Sequence, residues 1–257
     1  MSKTNPTAAV LLIGDELLSG RTRDINLQQI ATFLSPMGIP VKECRTVGDE
    51  QGEIVEAINT LRAKYTYVFT TGGIGPTHDD ITADAVAAAF GVDISENNEA
   101  LVILKDRYDA IGRELTSARR RMARIPHGAT LVKNPVSGAP GFQTGNVFTL
   151  AGVPSIARSM LDDIAPRLKG GAVVHSVTVR GAGGQEGDLA MPLEALAEQI
   201  PQVSFGSYPW FKSIEDHGVS LVARSTDKEV LENAVGQMVD LFQALGISAK
   251  RLEEGAS

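Results

Sequence analysis

The run Thr70-Thr71-Gly72-Gly73-Ile74-Gly75-Pro76-Thr77-His78-Asp79-Asp80-Ile81-Thr82 sets the architecture of this chain. Before it stands Tyr65–Phe69, an apolar stretch rich in β-branched and aromatic residues that reads as a buried strand. After it comes Ala83–Phe90, an alanine-rich helix ended by Gly91. The order is therefore strand, glycine-rich turn, acid pair, helix. Three glycines let a ligand approach the backbone and turn several N–H groups toward one point. The helix N-terminus adds partial positive charge, which makes an anion site of the kind most often used for phosphate. Two carboxylates beside a phosphate repel it unless a cation lies between them, and Mg²⁺-type ions bridge carboxylates and phosphate oxygens in this way. The stretch points to metal-assisted handling of a phosphorylated small molecule. Helix capping is the competing use, since Asp80 or Thr82 could satisfy the first N–H groups of the helix.

Outward from this run, strand and helix signals alternate. Ala8–Ile13 is an apolar strand closed by Gly14, and Ile25–Met37 carries a helical stripe at positions 27, 30, 34 and 37, ended by Gly38. Val41–Val47 reads as a second strand, and Glu50–Lys64 as a helix with Ile54, Ile58 and Leu61 on one face. Strands separated by helices of this length predict a mostly parallel sheet covered on both faces. Ligands of such sheets sit off the carboxyl ends of the strands, where the Gly14 and Gly72–Gly75 turns both fall. Residues 97–125 predict a pair of helices broken near Gly112. Thr130–Lys133 and Phe142–Leu150 predict short strands, with a hairpin turn at Gly145-Asn146. Ile156–Leu168 predicts an amphipathic helix, and Lys169-Gly170-Gly171 a domain boundary, giving an α/β domain over 5–170 and an accessory α+β domain over 172–250. In the second domain the expected elements are strand Val173–Val179, helix Asp188–Gln199, strands Val203–Ser207 and Val219–Ala223, and helix Lys228–Leu245.

Composition narrows the function. The chain has 257 residues, 43% of them hydrophobic, and no segment approaches the roughly 20 apolar residues of a membrane helix. Met1–Thr7 is short and polar, without an export signal, and the lone Cys44 suits a reducing cytoplasm. A net charge of −7 argues against nucleic acid as a partner. The basic cluster Arg119-Arg120-Arg121 with Arg124 fits a solvated or subunit-facing surface, or else a phosphate clamp.

Other motifs are weaker. Gly181-Ala182-Gly183-Gly184-Gln185-Glu186-Gly187 lies between a strand and a helix, but its spacing misses the dinucleotide fingerprint, and a plain turn is favoured. No phosphate-loop lysine motif, Cys/His metal cluster or serine nucleophile elbow is present. Of the histidines, only His78 is suggestively placed. The first strand-to-helix turn carries Gly14-Asp15-Glu16-Leu17-Leu18-Ser19-Gly20, then Asp24 and Asn26. Either Asp24 or Asn26 can cap the next helix, whereas Glu16 has no capping use and suits a ligand or metal. Asp49 closes the second strand at the same edge, and Ser137-Gly138-Ala139-Pro140-Gly141 is a further compact loop there.

Together these pieces resemble the molybdopterin-binding family, which includes molybdopterin adenylyltransferases, molybdenum-insertion proteins and the N-terminal domain of competence/damage-inducible protein A. The family signature is similar to Thr71-Gly72-Gly73-Ile74-Gly75-Pro76 with Asp79-Asp80 and Thr82. The competence/damage-inducible branch is the nearer likeness. It shares Gly14–Gly20, Asp24 with Asn26, Val47-Gly48-Asp49, the double acid, Asn134-Pro135-Val136 and Ala139-Pro140-Gly141. In the second domain it shares Glu186-Gly187-Asp188 and Gly206-Ser207-Tyr208-Pro209. Adenylyltransferases usually carry Arg-Asp where this chain has Asp79-Asp80. The chain departs from the family at Ser137-Gly138, usually Gly then Thr or Ser, and at Ala151, usually Pro. It also stops before the amidohydrolase domain of longer relatives, so nicotinamide mononucleotide deamidation is not expected.

The resemblance implies a three-layer α/β/α domain that binds molybdopterin or cleaves nucleotide pyrophosphates such as ADP-ribose or FAD, the latter also ascribed to a similar domain of eukaryotic FAD synthases. Divalent Mg²⁺, Mn²⁺ or Co²⁺ and potassium are the ions it implies, and a homodimer or homotrimer the assembly. On this reading Gly72, Gly73 and Gly75 cradle the diphosphate, with Thr77, Asp24, Asn26, Gly138 and Pro140 as further substrate-binding candidates. Asp79, Asp80 and Glu16 hold the metal, and Asp80 and Asp49 are the catalytic candidates, Asp49 or Asp24 orienting water or a ribose hydroxyl. The rival readings are a molybdopterin-binding protein without hydrolysis and a scaffold that has kept only the fold.

Overall fold

The computed structural model describes residues 5–214 and 216–252. The chain divides into two compact units between Gly171 and Ala172. In the first unit the strands are β1 (Ala8–Ile13), β2 (Val41–Val47), β3 (Tyr67–Thr71), β4 (Ile94–Glu96), β5 (Arg124–Pro126), β6 (Thr130–Val132), β7 (Gly141–Thr144) and β8 (Val147–Leu150). Its helices are α1 (Asp15–Leu18), α2 (Asn26–Leu34), α3 (Gln51–Lys64), α4 (Thr82–Phe90), α5 (Asn98–Ala110), α6 (Ser117–Arg120) and α7 (Pro154–Ile164).

Six strands form one sheet in the order β2-β1-β3-β8-β7-β6. The four from β2 to β8 are parallel, with Leu12 opposite Thr71 and Thr71 opposite Leu150, and the β7 connections are antiparallel. Successive side chains of β1 go to opposite faces, as a strand requires. Ala9, Leu11 and Ile13 pack with Ile54, Ile58 and Leu61 of α3 and Ala85 and Val86 of α4. Ala8, Val10 and Leu12 pack with Ile30 and Leu34 of α2 and Met160, Leu161 and Ile164 of α7. The result is three layers, helices on both faces of a mostly parallel sheet. On the second face Phe69 stacks on Phe148, centroids 5.2 Å apart and planes 15° apart.

The β3 strand starts two residues later than its apolar run, because the Tyr65 N–H closes the end of α3 on Leu61 O. It then runs through Thr70 and Thr71, whose side chains are buried. The hairpin turn lies at Gly145-Asn146, with Gly145 at φ 56°. Its Asn146 Nδ2 donates to Arg62 O and Tyr65 O, both at 3.0 Å, which ties the hairpin to the turn before β3.

The pair of helices expected over 97–125 is corrected. The first is α5, and Gly112 follows it at φ 63°. The second shrinks to the single turn of α6 and a 3-10 turn, Arg121–Ala123. The chain then pairs β5 antiparallel to β4, a two-stranded ribbon that three-residue strands could not announce.

The second unit has β9 (His175–Ala182), α8 (Glu186–Gln199), β10 (Ser204–Phe211), β11 (His217–Ser225), α9 (Lys228–Ala244) and β12 (Ala249–Leu252). Its strands form an antiparallel sheet, β10-β11-β9-β12. Val179, Val219 and Leu221 of the sheet pack with Leu189 of α8 and Val235, Met238 and Phe242 of α9.

Candidate functional site

The parallel strands β1, β2, β3 and β8 end at one edge of the sheet. There the turns after them meet the Asn134–Pro140 connection, since β6 runs parallel to β8. A cavity of 460 Å³ opens at this edge, within the range that holds small-molecule ligands. Its walls include Glu16, Gly72, Gly73, Gly75, Asp80 and Asn134.

The turn after β3 is held by close approaches that a Cβ would forbid. Gly73 adopts φ 65°, and a Cβ there would lie 2.1 Å from Thr82 Oγ1. At Gly72 a Cβ would lie 2.1 Å from Ile13 O, so the glycine lets β3 leave the sheet against the end of β1. The Gly72 N–H donates to Leu150 O at 3.3 Å. Gly72 therefore has no free N–H to offer a ligand and serves the close approach of the strands. The N–H groups of Gly73 and Gly75 have no acceptor among the described residues, while Gly73 O accepts from Thr82 N at 3.0 Å and closes the loop.

The capping alternative for the acid pair is not what the structure shows. No side chain caps α4, which Ile81 precedes; Thr82 N is taken by Gly73 O, and the N–H groups of Ala83 and Asp84 have no acceptor among the described residues. The Asp80 carboxylate folds back over the turn, where it accepts from Thr77 N at 2.8 Å and from the Thr77 hydroxyl. A Cβ on Gly75 would lie 2.6 Å from its Oδ2. The same carboxylate thus shapes the loop and faces the cavity. Thr77 spends both its N–H and its hydroxyl on Asp80. Asp79 stands apart from the cavity wall, with His78 Nδ1 at 3.9 Å. The Thr77 side chain, the loop backbone and His78 hold its carboxyl below the usual range.

Glu16 curls back onto Gly14, where a Cβ would lie 2.4 Å from its Oε2. Its neighbours Asp15 and Asp49 clasp one another: Asp15 N donates to Asp49 Oδ2 at 3.0 Å, and Asp49 N to Asp15 Oδ1 at 3.3 Å. Partial burial, then the charges of Asp15, Glu16 and Asp79, push the Asp49 carboxyl up against the opposing bond from Asp15 N–H. Four carboxylates therefore share this corner, which favours a cation there. Among the described residues, no three His, Cys, Asp or Glu side chains are arranged to hold a metal alone. Glu16 and Asp80 both line the cavity and are the carboxylates there that could hold a Mg²⁺-type ion, which needs only one or two carboxylates besides water and phosphate oxygens.

Other expected ligand groups have structural work. Both oxygens of Asp24 cap α2, accepting from Asn26 N at 3.0 Å and Leu27 N at 3.1 Å. Asn26 is buried, and its Nδ2 donates to Gly152 O at 2.8 Å, pinning the turn after β8 to α2. Gly138 and Pro140 line a separate 600 Å³ cavity with Glu99, Ile103 and Lys133; Pro140 also touches the cleft behind the turn. The site-facing residues of that loop are Asn134, Ser137 and Ala139. Asn134 builds it. Its Oδ1 accepts from Val136 N at 3.1 Å and Ser137 N at 3.0 Å, and its Nδ2 donates to Ala139 O at 2.7 Å. Sequence reasoning missed this role, although Asn before Pro is a recognised turn signal.

Comparisons with known proteins agree with this fold. Residues 9–170 match the family model described as a probable molybdopterin binding domain. The chain belongs to that family. The rest of the chain adds a second match, residues 174–250 to the model described as FAD synthase, middle domain. A CinA-like protein of Citrifermentans bemidjiense is 36% identical over 252 residues, 95% of this chain and 60% of that protein's length. Protein PAE0875 of Pyrobaculum aerophilum is 37% identical over 79% of each chain. Among solved structures, the protein CinA of Thermoplasma acidophilum superposes with a TM-score of 0.59 at 33% identity, covering 63% of this chain and 98% of that one. Among the described residues of this molybdopterin-binding-domain protein, no helix is long and apolar enough to cross a membrane.

Proposed function

We propose that this protein hydrolyses the pyrophosphate bond of a nucleotide of the ADP-ribose or FAD class with the help of a divalent metal. One observation carries the reading: the unsatisfied N–H groups of Gly73 and Gly75 share a 460 Å³ cavity with the carboxylates of Glu16 and Asp80. Donors suit a phosphate, and paired carboxylates suit a cation between them and that phosphate. The match of residues 174–250 to a FAD synthase domain supports a nucleotide ligand.

In the reaction a water oxygen bonds to one phosphorus, and the bridging oxygen departs with the electron pair of the broken P–O bond. The Gly73 and Gly75 N–H groups and the open N-terminus of α4 hold the phosphoryl oxygens as their charge grows. Glu16 and Asp80 would hold the divalent metal, which would supply charge neutralisation and acidify bound water. Asp49 is not on the cavity wall but beside Glu16, with one oxygen held by Asp15 N–H; its carboxyl, raised by burial and by its neighbours, is the group we assign to accept the proton of that water. Asp24 has both oxygens engaged at α2 and takes no such part.

AMP release from ADP-ribose, FAD and NAD, measured with Mg²⁺, Mn²⁺ or Co²⁺ plus K⁺, tests the reading. Cleavage that a chelator abolishes is expected. The family model's description favours a second reading, a molybdopterin-binding protein without hydrolysis. It would show no cleavage with any metal and would retain a fluorescent pterin after chelation.

A further inference from the structure

Four arginines cluster at the start of β5 and just before it, and three are engaged. Arg119 lies over the Tyr108 ring, 4.6 Å from its centroid. Arg120 pairs with Glu96, and Arg124 grips Asp84 through two bonds of 2.8 and 2.6 Å. Arg121 has neither an ion pair nor a ring contact among the described residues, and its buried Nε has no acceptor. It lines a tight cleft of 10 Å³ walled by Gly73, Gly75, Asp80 and Asp84, room for about one water. Gly73, Gly75 and Asp80 also wall the larger cavity.

We infer that Arg121 is the cation that receives the second phosphoryl group of a diphosphate ligand. The inference rests on the hydrolase reading for its site and deepens it by naming the residue that receives the second phosphoryl group. Gly73 and Gly75 N–H groups and the α4 terminus suffice for one phosphoryl group. A second brings further negative charge into a corner already holding Glu16 and Asp80. Arg124 is neutralised by Asp84, which leaves Arg121 as the free guanidinium at this turn. The fork of its terminal nitrogens matches phosphate oxygens brought to the mouth of the cleft, while the buried Nε keeps room for one water behind it.

The test is calorimetric binding of inorganic pyrophosphate and inorganic phosphate in Mg²⁺, with wild type, Arg121→Gln and Arg121→Lys. Wild type is expected to prefer pyrophosphate. Arg121→Gln should weaken pyrophosphate binding by about 10- to 100-fold, the range for a charged hydrogen bond lost, with little change for phosphate. Arg121→Lys, which keeps the charge without the fork, should fall between them, and it carries the test if Arg121→Gln does not fold. Unchanged pyrophosphate binding in the variants overturns the inference. So does an equal loss on both anions, which would mark Arg121 as a support of the turn. A wild type that prefers pyrophosphate yet cleaves no nucleotide would keep Arg121 and overturn the hydrolase. Cleavage of ADP-ribose with undiminished pyrophosphate binding by the variants would do the reverse.

Discussion

Each unit of this protein contains a strand, a glycine-rich turn and a helix, and the two turns differ in what their glycines pack against and in what faces them. After β3, Gly73 and Gly75 keep free N–H groups, no side chain caps α4, and a cavity lies in front. After β9, Ala182 N donates to Ser248 O, Gly183 N to His217 O and Asp188 N to Gln185 O. Glycines there serve packing. A Cβ on Gly181 would lie 2.2 Å from Phe242, and one on Gly184 3.2 Å from Ile247. Neither glycine content nor free backbone donors alone make an anion site, since among the described residues Gly184 N and Gln185 N also have no acceptor and no side chain caps α8. What sets the first turn apart is the cavity that Gly73 and Gly75 share with Glu16 and Asp80.

The largest expected effect that would sharpen this contrast is catalytic. Glu16→Gln should lower turnover by about 100-fold or more in steady-state assays, the order of loss when one electrostatic group is removed from a preorganised site. The fold should stand, because the Glu16 carboxylate makes no hydrogen bond or ion pair among the described residues and lines the cavity. Next comes Gly73→Ala. The left-handed φ of 65° and the approach to Thr82 together should cost about 3 kcal/mol in denaturant unfolding. At Gly183, φ is 76° but the space is open, so Gly183→Ala should cost about 1 kcal/mol and leave turnover alone. Equal losses at the two glycines would break the contrast.

Smaller still is a pH effect confined to the first turn. The Asp49 carboxyl is raised in the fold above its ordinary 3.8, so the folded state binds more protons than the unfolded chain in that window. Stability from this group is greatest below the window and falls as pH rises through the folded value. Asp49→Asn, which still offers an oxygen to Asp15 N–H, should flatten that fall and modestly raise the melting temperature at neutral pH. A steeper fall in the variant would contradict the assignment of crowding at this corner.

Much of the first unit was legible because parallel strands buried on both faces leave continuous apolar runs, as at Ala8–Ile13 and Tyr67–Phe69. The turn after β3 was legible because few residues other than glycine fit beside Ile13 O and Thr82. The β4–β5 ribbon and β12 were not. Three or four residues carry too little periodicity, and Ala-Lys-Arg-Leu on an edge strand is as polar as a loop. Side-chain roles were harder than positions. Asp24 and Asp80 both sit near a helix start, yet one caps α2 and the other reaches back to Thr77. Spacing alone does not separate these uses, because both place a carboxylate within reach of backbone N–H groups. Nor could the sequence show that Gly138 faces away from the cavity, since its direction depends on the bonds Asn134 makes.

The most direct measurement compares the acids of the two turns in one assay. AMP release from ADP-ribose in Mg²⁺ would be followed for wild type, Asp80→Asn and Asp188→Asn. Asparagine at position 80 can still accept from Thr77 N, so the loop is preserved while the charge is lost. Turnover should collapse in Asp80→Asn and remain at the wild-type rate in Asp188→Asn. Full activity in Asp80→Asn, or equal losses in both, would contradict a catalytic site at the turn after β3.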